Sequence, residues 1–403
     1  MNEPRHTMTE PTGADVLRQR LVTSMRDSGA LCSPDIIRAF ATVPREAFVP
    51  FFYERVPTTQ KMAWVRYDAE SREPGEWLEL IYRDEPLVTC LDARNFPCSS
   101  SSMPSVMARM LEAVQVVPGQ RVLEIGTGTG YNAALLASLT GDPLLVTTIE
   151  IDPAVAERAA TALHTVVGSG VSVQIGDGRQ GYAPHAPYER IILTASAPCV
   201  APAWYRQLAP GGRLVMDMQG SLASGFLILE KSEDGQRAHG RFLSTPLHFM
   251  PLTSHEAVPA VQTHERLMTQ PCRDLFTTEG SPFPEALHDR SFRWWLQWRI
   301  PGCLVRKRSQ SHPETQEQTS FIFLVDQEHT TILRFQQSPA EEHWHGCVHG
   351  SRPLWHDLQE AYREWQEQGK PEREAYRVEM TEGYTDIVVG TTRITLSCSS
   401  DQP

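Results

Sequence analysis

No stretch of this 403-residue chain approaches the roughly 18 consecutive apolar residues that a membrane-spanning helix needs. Its first residues, MNEPRHTMTE, lack the apolar core of a signal peptide, so the sequence predicts a soluble protein of the cytoplasm. Cationic excess is missing too: 37 Lys and Arg stand against 49 Asp and Glu, for a net charge of −12. Such a field repels polyanions, which excludes nucleic acid and membrane surfaces as general partners and leaves open only a local basic groove. The eight cysteines, at 32, 90, 98, 199, 272, 303, 347 and 398, include no CxxC pair. In a reducing compartment that scatter predicts free, mostly buried thiols, with no disulfide framework, no zinc ribbon and no metal site. Neither a Ser-His-Asp set nor a paired-acid constellation is present, and no repeat recurs at a period of about 20 to 50 residues. Nothing specifies an oligomeric state, and a monomer is the default.

What is present is enough apolar residue, 40% of the chain, to build packed cores. At roughly 150 residues per domain the length predicts two or three domains, and three regions differ in character. Residues 1–100 read as an N-terminal helical cap, with a helical apolar pattern in Ile36, Ile37, Phe40 and Val43 that Pro44 breaks. Residues 101–253 alternate β-branched runs with helical stretches, as a doubly wound α/β sheet does. The spacing predicts strands over 121–125, 146–150, 171–175, 190–194, 213–218 and 226–229, and helices over 105–116, 131–139, 153–166 and 202–208. Residues 254–403 read as a separate α+β module. Strands are expected there over 321–325, 331–335, 376–380 and 385–389, and a helix over 353–368.

The most informative segment is VLEIGTGTGY at 122–131, an apolar strand running into three alternating glycines and then a helix. Glycines permit positive φ and close backbone approach, and a helix start offers free N–H groups. The spacing is GxGxG, whereas dinucleotide folds favour GxGxxG. Glu150 ends the next strand, where a carboxylate can accept both hydrogen bonds of a ribose diol. Asp177, between Gly176 and Gly178, ends the third, where it can meet an adenine amino group. LAPGGRLV at 208–215 then supplies a helix stop before the fifth strand. The ordered set matches class I S-adenosylmethionine-dependent methyltransferases, with an NAD dehydrogenase as the structural competitor.

With these residues in view, the chain from about Pro34 to Thr253 resembles the protein-L-isoaspartate O-methyltransferase family. AFATVPREAFVP at 39–50 looks like the family's N-terminal signature, and SMPSVMARM at 102–110 like its Ser-x-Pro helix. TASAP at 194–198 resembles the loop after its fourth strand, and FMPLT at 249–253 its closing segment. The resemblance implies a Rossmann-like doubly wound sheet with an N-terminal helical region, here followed by an additional C-terminal α+β domain. It implies S-adenosyl-L-methionine as cofactor and S-adenosyl-L-homocysteine as product. Carried over by position, Ser102 is the active-site hydroxyl near the acceptor carboxylate, and in the bland reading only a helix cap. Gly126, Thr127, Gly128 and Gly130 surround the methionine part of the cofactor, Glu150 meets the ribose, Asp177 the adenine, and Thr253 closes over the cofactor. Glu124, Tyr131, Ile151, Gly176, Gly178 and Thr194 belong to the same cofactor site. The backbone of Ala195, Ser196, Ala197 and Pro198 lines the peptide groove, and Ser101 and Met103 also meet the substrate. A carboxylate acceptor, with an ordinary pKa of about 3.9, is ionised at neutral pH and needs no general base. The missing acid-base constellations are therefore no objection.

Two features depart from the repair enzymes. The Gly-rich loop that usually precedes the Ser-x-Pro helix is replaced by TCLDARNFPCSSSS at 89–102, and the chain continues for about 150 residues beyond the closing segment. Both resemble the subgroup that modifies ribosomally made peptides such as lanthipeptides, graspetides and lasso peptides. Its members methylate a specific Asp of a modified precursor peptide and so install a succinimide; general isoaspartate repair is the alternative, and a non-catalytic peptide-binding module the alternative of another class. In the extension, EHWHGCVH at 342–349 holds ligand-type side chains without a zinc pattern. FRWWLQWR at 292–299, followed by Arg306, Lys307 and Arg308, reads as packed Trp on an amphipathic segment, with precursor or RNA contact as alternatives. Arg94 or this stretch would offer the acceptor carboxylate its cation.

Overall fold

Helices open the chain where apolar spacing places them, α1 over Gly13–Asp27 and α2 over Pro34–Thr42, the second stopped at Val43 before Pro44. The computed structural model describes residues 13–396 apart from 58–61, 71–73, 246, 253–270, 280, 312–317, 327–329 and 338–342. The cap is not wholly helical, however. Besides α3 (Pro74–Ile81) it holds four strands, β1 (Phe51–Pro57), β2 (Met62–Asp68), β3 (Leu87–Leu91) and β4 (Pro97–Ser101), in an antiparallel sheet ordered β2-β1-β3-β4. β1 and β2 are mostly half-buried or exposed and carry charged residues such as Glu54, Arg55 and Arg66, and the buried positions of β4 are serines, Ser99 and Ser101, so no apolar alternation marks them.

Helix α4 (Pro104–Val114) leads into β5 (Val122–Ile125), α5 (Tyr131–Thr140), β6 (Val146–Glu150), α6 (Pro153–Val167) and β7 (Ser172–Ile175). After these come β8 (Tyr188–Ala197), α7 (Pro202–Gln207), β9 (Leu208–Gln219), β10 (Ser224–Lys231) and β11 (Ala238–Leu243). Strands β7, β6, β5, β8 and β9 run parallel, and β10 and β11 extend the sheet antiparallel. The chain leaves β5 toward β6 on one side and returns to β8 on the other. That reversal opens a crevice at the carboxyl end of β5, where such sheets bind ligands.

Alternation along the strands divides the core between the two sheet faces. Val122, Ile192, Val215 and Ile228 pack with the N-terminal helices, α4 and α5. Their neighbours Leu123, Ile191, Leu214, Met216 and Leu227 face a cluster containing Trp204 and many residues of the C-terminal region. That region comprises β12 (Asp274–Thr277), α8 (Arg290–Arg299), β13 (Leu304–Ser311), β14 (Gln318–Val325), β15 (Thr331–Gln337) and β16 (His345–Gly350). Helix α9 (Leu354–Glu367) follows, and then β17 (Arg377–Met380), β18 (Thr385–Val389) and β19 (Thr392–Leu396). Strands β12 to β16 form their own antiparallel sheet, whereas β17 pairs with β11 and carries β18 and β19, completing a ten-stranded sheet. Trp294, Trp295 and Trp298 of α8 are buried in the shared cluster, as the packed-Trp reading has it.

The cysteines do not all remain thiols. Cys272, two residues before β12, and Cys347 of β16 form a disulfide across 75 residues of sequence. Nothing in their spacing announces that contact. Of the other described cysteines, Cys303 is buried, Cys90 and Cys199 are half-buried, and Cys32 and Cys98 are exposed, so burial is not their rule. Among the described residues no helix is long and apolar enough to cross a membrane.

Candidate active site

The crevice at the end of β5 is a cavity of about 720 Å³. Of the residues expected there, Ser101, Ser102, Met103, Glu124, Gly126, Thr127, Gly128, Tyr131, Glu150, Ile151, Gly178, Thr194 and Ala195 all line it. The glycines earn their places geometrically. Gly126 has φ +98°, and a Cβ there would sit 3.2 Å from Thr194 Oγ1; at Gly178 a Cβ would sit 2.5 Å from Ile125 Cγ2.

Two carboxylates organise the floor. Glu124 is fully buried and accepts from Asn132 Nδ2 and Thr148 Oγ1, each at 2.7 Å. Burial outweighs those bonds and pushes its carboxyl up to about 7. Asn132 Oδ1, also buried, has no partner among the described residues and belongs to a side chain that lines the cavity. Glu150 accepts from the backbone N–H groups of Gly128 and Ile151 at 2.9 Å and of Asp152 at 3.2 Å, and burial raises its pKa against them. Opposite stands β4, all five of whose residues line the cavity. Ser101 Oγ is buried there without a partner among the described residues. His248, Phe249, Met250, Pro251 and Leu252 form a further wall.

Six expected residues do not line the cavity. Asp177 accepts from the Arg179 backbone N–H and pairs with the Arg179 guanidinium at 2.8 Å, which occupies its carboxylate. Gly176 holds its strand through Glu150 O instead. Gly130 starts α5 with φ +86°, and a Cβ there would sit 3.3 Å from Ala159 and Leu163 of α6. Ser196 lies behind the wall it anchors: its N–H donates to Met250 O at 2.9 Å, its carbonyl accepts from Leu252 N–H at 2.8 Å, and its hydroxyl reaches Phe249 O and Gln219. Ala197 and Pro198 continue past that tether. Thr253 lies outside the described residues. Tyr131 meets the cavity from the first turn of α5, while its ring packs between Phe40 and Phe48. Sequence reading passed over Asn132, Thr129 and Cys98, all of which line the cavity; a polar residue in the first turn after the glycines was the available signal for Asn132.

Neither Arg94 nor the Trp-rich basic stretch lines the cavity. Arg94 is 73% exposed on the β3–β4 turn beside Asp92, and the Trp-rich helix is built into the core.

The model of the protein-L-isoaspartate(D-aspartate) O-methyltransferase family matches residues 16–257. A protein-L-isoaspartate O-methyltransferase of Ignicoccus hospitalis is 32% identical over 239 residues, covering 59% of this chain and 98% of that one. One of Anaeromyxobacter dehalogenans (strain 2CP-1) is 44% identical over 154 residues, 38% of this chain and 71% of its own. A solved structure titled protein-L-isoaspartate O-methyltransferase shares the fold with a TM-score of 0.54 at 21% identity, over 92% of this chain and 99% of that one. The chain belongs to the protein-L-isoaspartate(D-aspartate) O-methyltransferase family.

Proposed function

We propose that this S-adenosylmethionine-dependent carboxyl O-methyltransferase acts on the side-chain carboxylate of a specific Asp in a constrained, ribosomally made peptide. The residues present fit the cofactor. The Glu124 carboxylate and the unpartnered Asn132 Oδ1 suit an ammonium group, and Glu150 keeps acceptor capacity for a diol. Gly126 and Gly128 leave the backbone open to close approach, and the apolar side chains of Ile151 and Leu252 in the lining would suit a flat ring. Asp177 joins the adenine only by giving up Arg179. The bound cofactor supplies an electrophilic methyl group on sulfur.

The chain's own contribution is placement. An acceptor carboxylate is already ionised at neutral pH, so alignment against the methyl group and exclusion of water carry the rate. Ser101, Ser102 and Met103 would receive it beside the β4 wall, and the 248–252 segment would shield it. Once the ester forms, the next backbone nitrogen attacks its carbonyl, loses its proton, and expels methoxide as methanol. The product is a succinimide, which water opens to Asp or isoaspartate.

The observation that carries the peptide-tailoring reading is the segment 89–102. In place of a Gly-rich loop it forms the β3–β4 hairpin, whose second strand is a wall of the cavity. Residues 254–403 we assign to recognition of the precursor. Repair of isoaspartyl residues is the second reading, favoured by the relatives of 32–44% identity. Competition between a macrocyclic Asp peptide and a linear isoaspartyl peptide separates them. The tailoring reading expects the macrocycle to gain one CH2 and then fall to one water below its starting mass. Methylation of the isoaspartyl peptide alone would establish repair.

A further inference from the structure

Arg45 has no exposed surface, yet no carboxylate among the described residues reaches it within ion-pair distance. Its fork donates to four backbone carbonyls instead. Nη1 reaches Ile81 O and Arg83 O, each at 2.8 Å, and Nη2 reaches Glu85 O at 3.0 Å and Ser102 O at 3.2 Å. Burying a guanidinium without a carboxylate is costly even where carbonyls take its Nη hydrogens, and here Nε is buried without a partner among the described residues. Burial lowers its pKa to about 10, which still leaves it charged at neutral pH. A cation so costly to keep needs a use, and its position suggests one.

The loop that Arg45 gathers, residues 81–85, touches the site a second time: Asp84 Oδ1 accepts from the Ser105 N–H at 2.8 Å, in the first turn of α4. The backbone is thus fixed on both sides of Met103, with Arg45 holding Ser102 and Asp84 holding Ser105. Ser102 itself lines the cavity, and its hydroxyl is the group assigned to the acceptor carboxylate. In a protein of net charge −12, an incoming carboxylate meets an unfavourable field unless a cation lies near its landing point. With Arg94 at the surface, the cation joined directly to Ser102 is Arg45.

We propose that Arg45 is a positioning residue for methyl transfer: through the Ser102 carbonyl it fixes the hydroxyl that receives the acceptor carboxylate and sets a buried positive charge behind it. The proposal rests on the reading of Ser102 as the acceptor-side hydroxyl. Arg45 does not touch substrate; it acts through the peptide unit it holds, and low local polarity strengthens its field there.

A double-mutant cycle on the full-length chain tests this, with Arg45→Lys, Ser102→Ala and the pair. Calorimetric binding of S-adenosylhomocysteine reports the folded, binding-competent fraction, and kcat and KM are measured for the acceptor peptide. Arg45→Lys keeps the charge but loses the fork; it is expected to bind the cofactor product within about threefold of the parent and to lose about tenfold in kcat. Arg45→Gln, which loses the charge, is expected to raise the acceptor KM further. On the Ser102→Ala background Arg45→Lys should cost less than about twofold, because the group it positions is gone. A full tenfold loss on both backgrounds overturns the proposal, as does a loss confined to cofactor affinity. If Arg45→Lys does not fold, Arg45→Gln enters the same cycle with the same coupling expected. Parent turnover in Ser102→Ala overturns the reading of Ser102 itself, a different failure from additivity.

Discussion

Glu124 shows how far one buried group can be pushed by its surroundings. Its carboxyl in the folded chain, raised to about 7, lies above its ordinary value of 4.5. Between those values the folded chain therefore holds a proton that the unfolded chain has released. The group's contribution to stability is whole below the ordinary carboxylate range and is lost as pH rises through about 7. A ligand bringing an ammonium group to Glu124 favours the ionised form, so binding must release that proton. We expect the dissociation constant for S-adenosylhomocysteine to weaken as pH falls below about 7, by up to tenfold per pH unit, and Glu124→Gln to flatten the dependence. Calorimetry across pH checks this; affinity independent of pH in the parent would contradict the assignment. Residues of this kind were legible because their chemistry is local. Glu124, Gly126 and Glu150 sit at strand ends that hydrophobic runs mark out. Asp177 had the same signal, but its engagement by Arg179, two residues on, depends on a turn that no pattern displayed.

Elements defined by their own periodicity were read closely. β18 occupies the expected 385–389, and α6 runs one residue beyond its expected end, to Val167, where Gly168 with φ +80° stops it. Elements defined by a partner were not. β1 and β2 pair residue for residue from Phe51↔Asp68 to Pro57↔Met62, yet Phe52 is the one buried residue of the two strands and neither shows a continuous apolar side. The last three strands matter most for organisation. By length alone, about 250 residues suffice for a methyltransferase, with the remainder added on. The pairing of β11 with β17, and the packing of Trp294 against Phe242 with ring centroids 4.9 Å apart, make the remainder part of the sheet and its core. A chain ending at residue 253 would expose the β11 edge and one apolar sheet face. It is expected to aggregate, or to melt without cooperativity in calorimetry. A soluble truncated chain with parent affinity for S-adenosylhomocysteine would show that residues 254–403 are dispensable to the fold.

For the whole molecule, the family match ends at residue 257, but likeness of fold to a solved structure reaches 92% of the chain. The peptide-tailoring reading leans on the β3–β4 hairpin. Across the molecule the chemistry is consistent. The β4 side of the cavity offers hydroxyls and backbone, Glu124 and Glu150 are held in hydrogen bonds, and the buried Arg45 donates to the Ser102 carbonyl in an otherwise acidic protein. All of this suits an acceptor that arrives as an anion. The most direct test of that claim uses S-adenosylmethionine labelled in its methyl group and a peptide whose only carboxylate is the candidate Asp. Brief mild alkali after the reaction should release the label as methanol, because the bond formed is an ester. Label that stays on the peptide through the same treatment would place the methyl group on nitrogen or an alcohol and contradict carboxyl methylation.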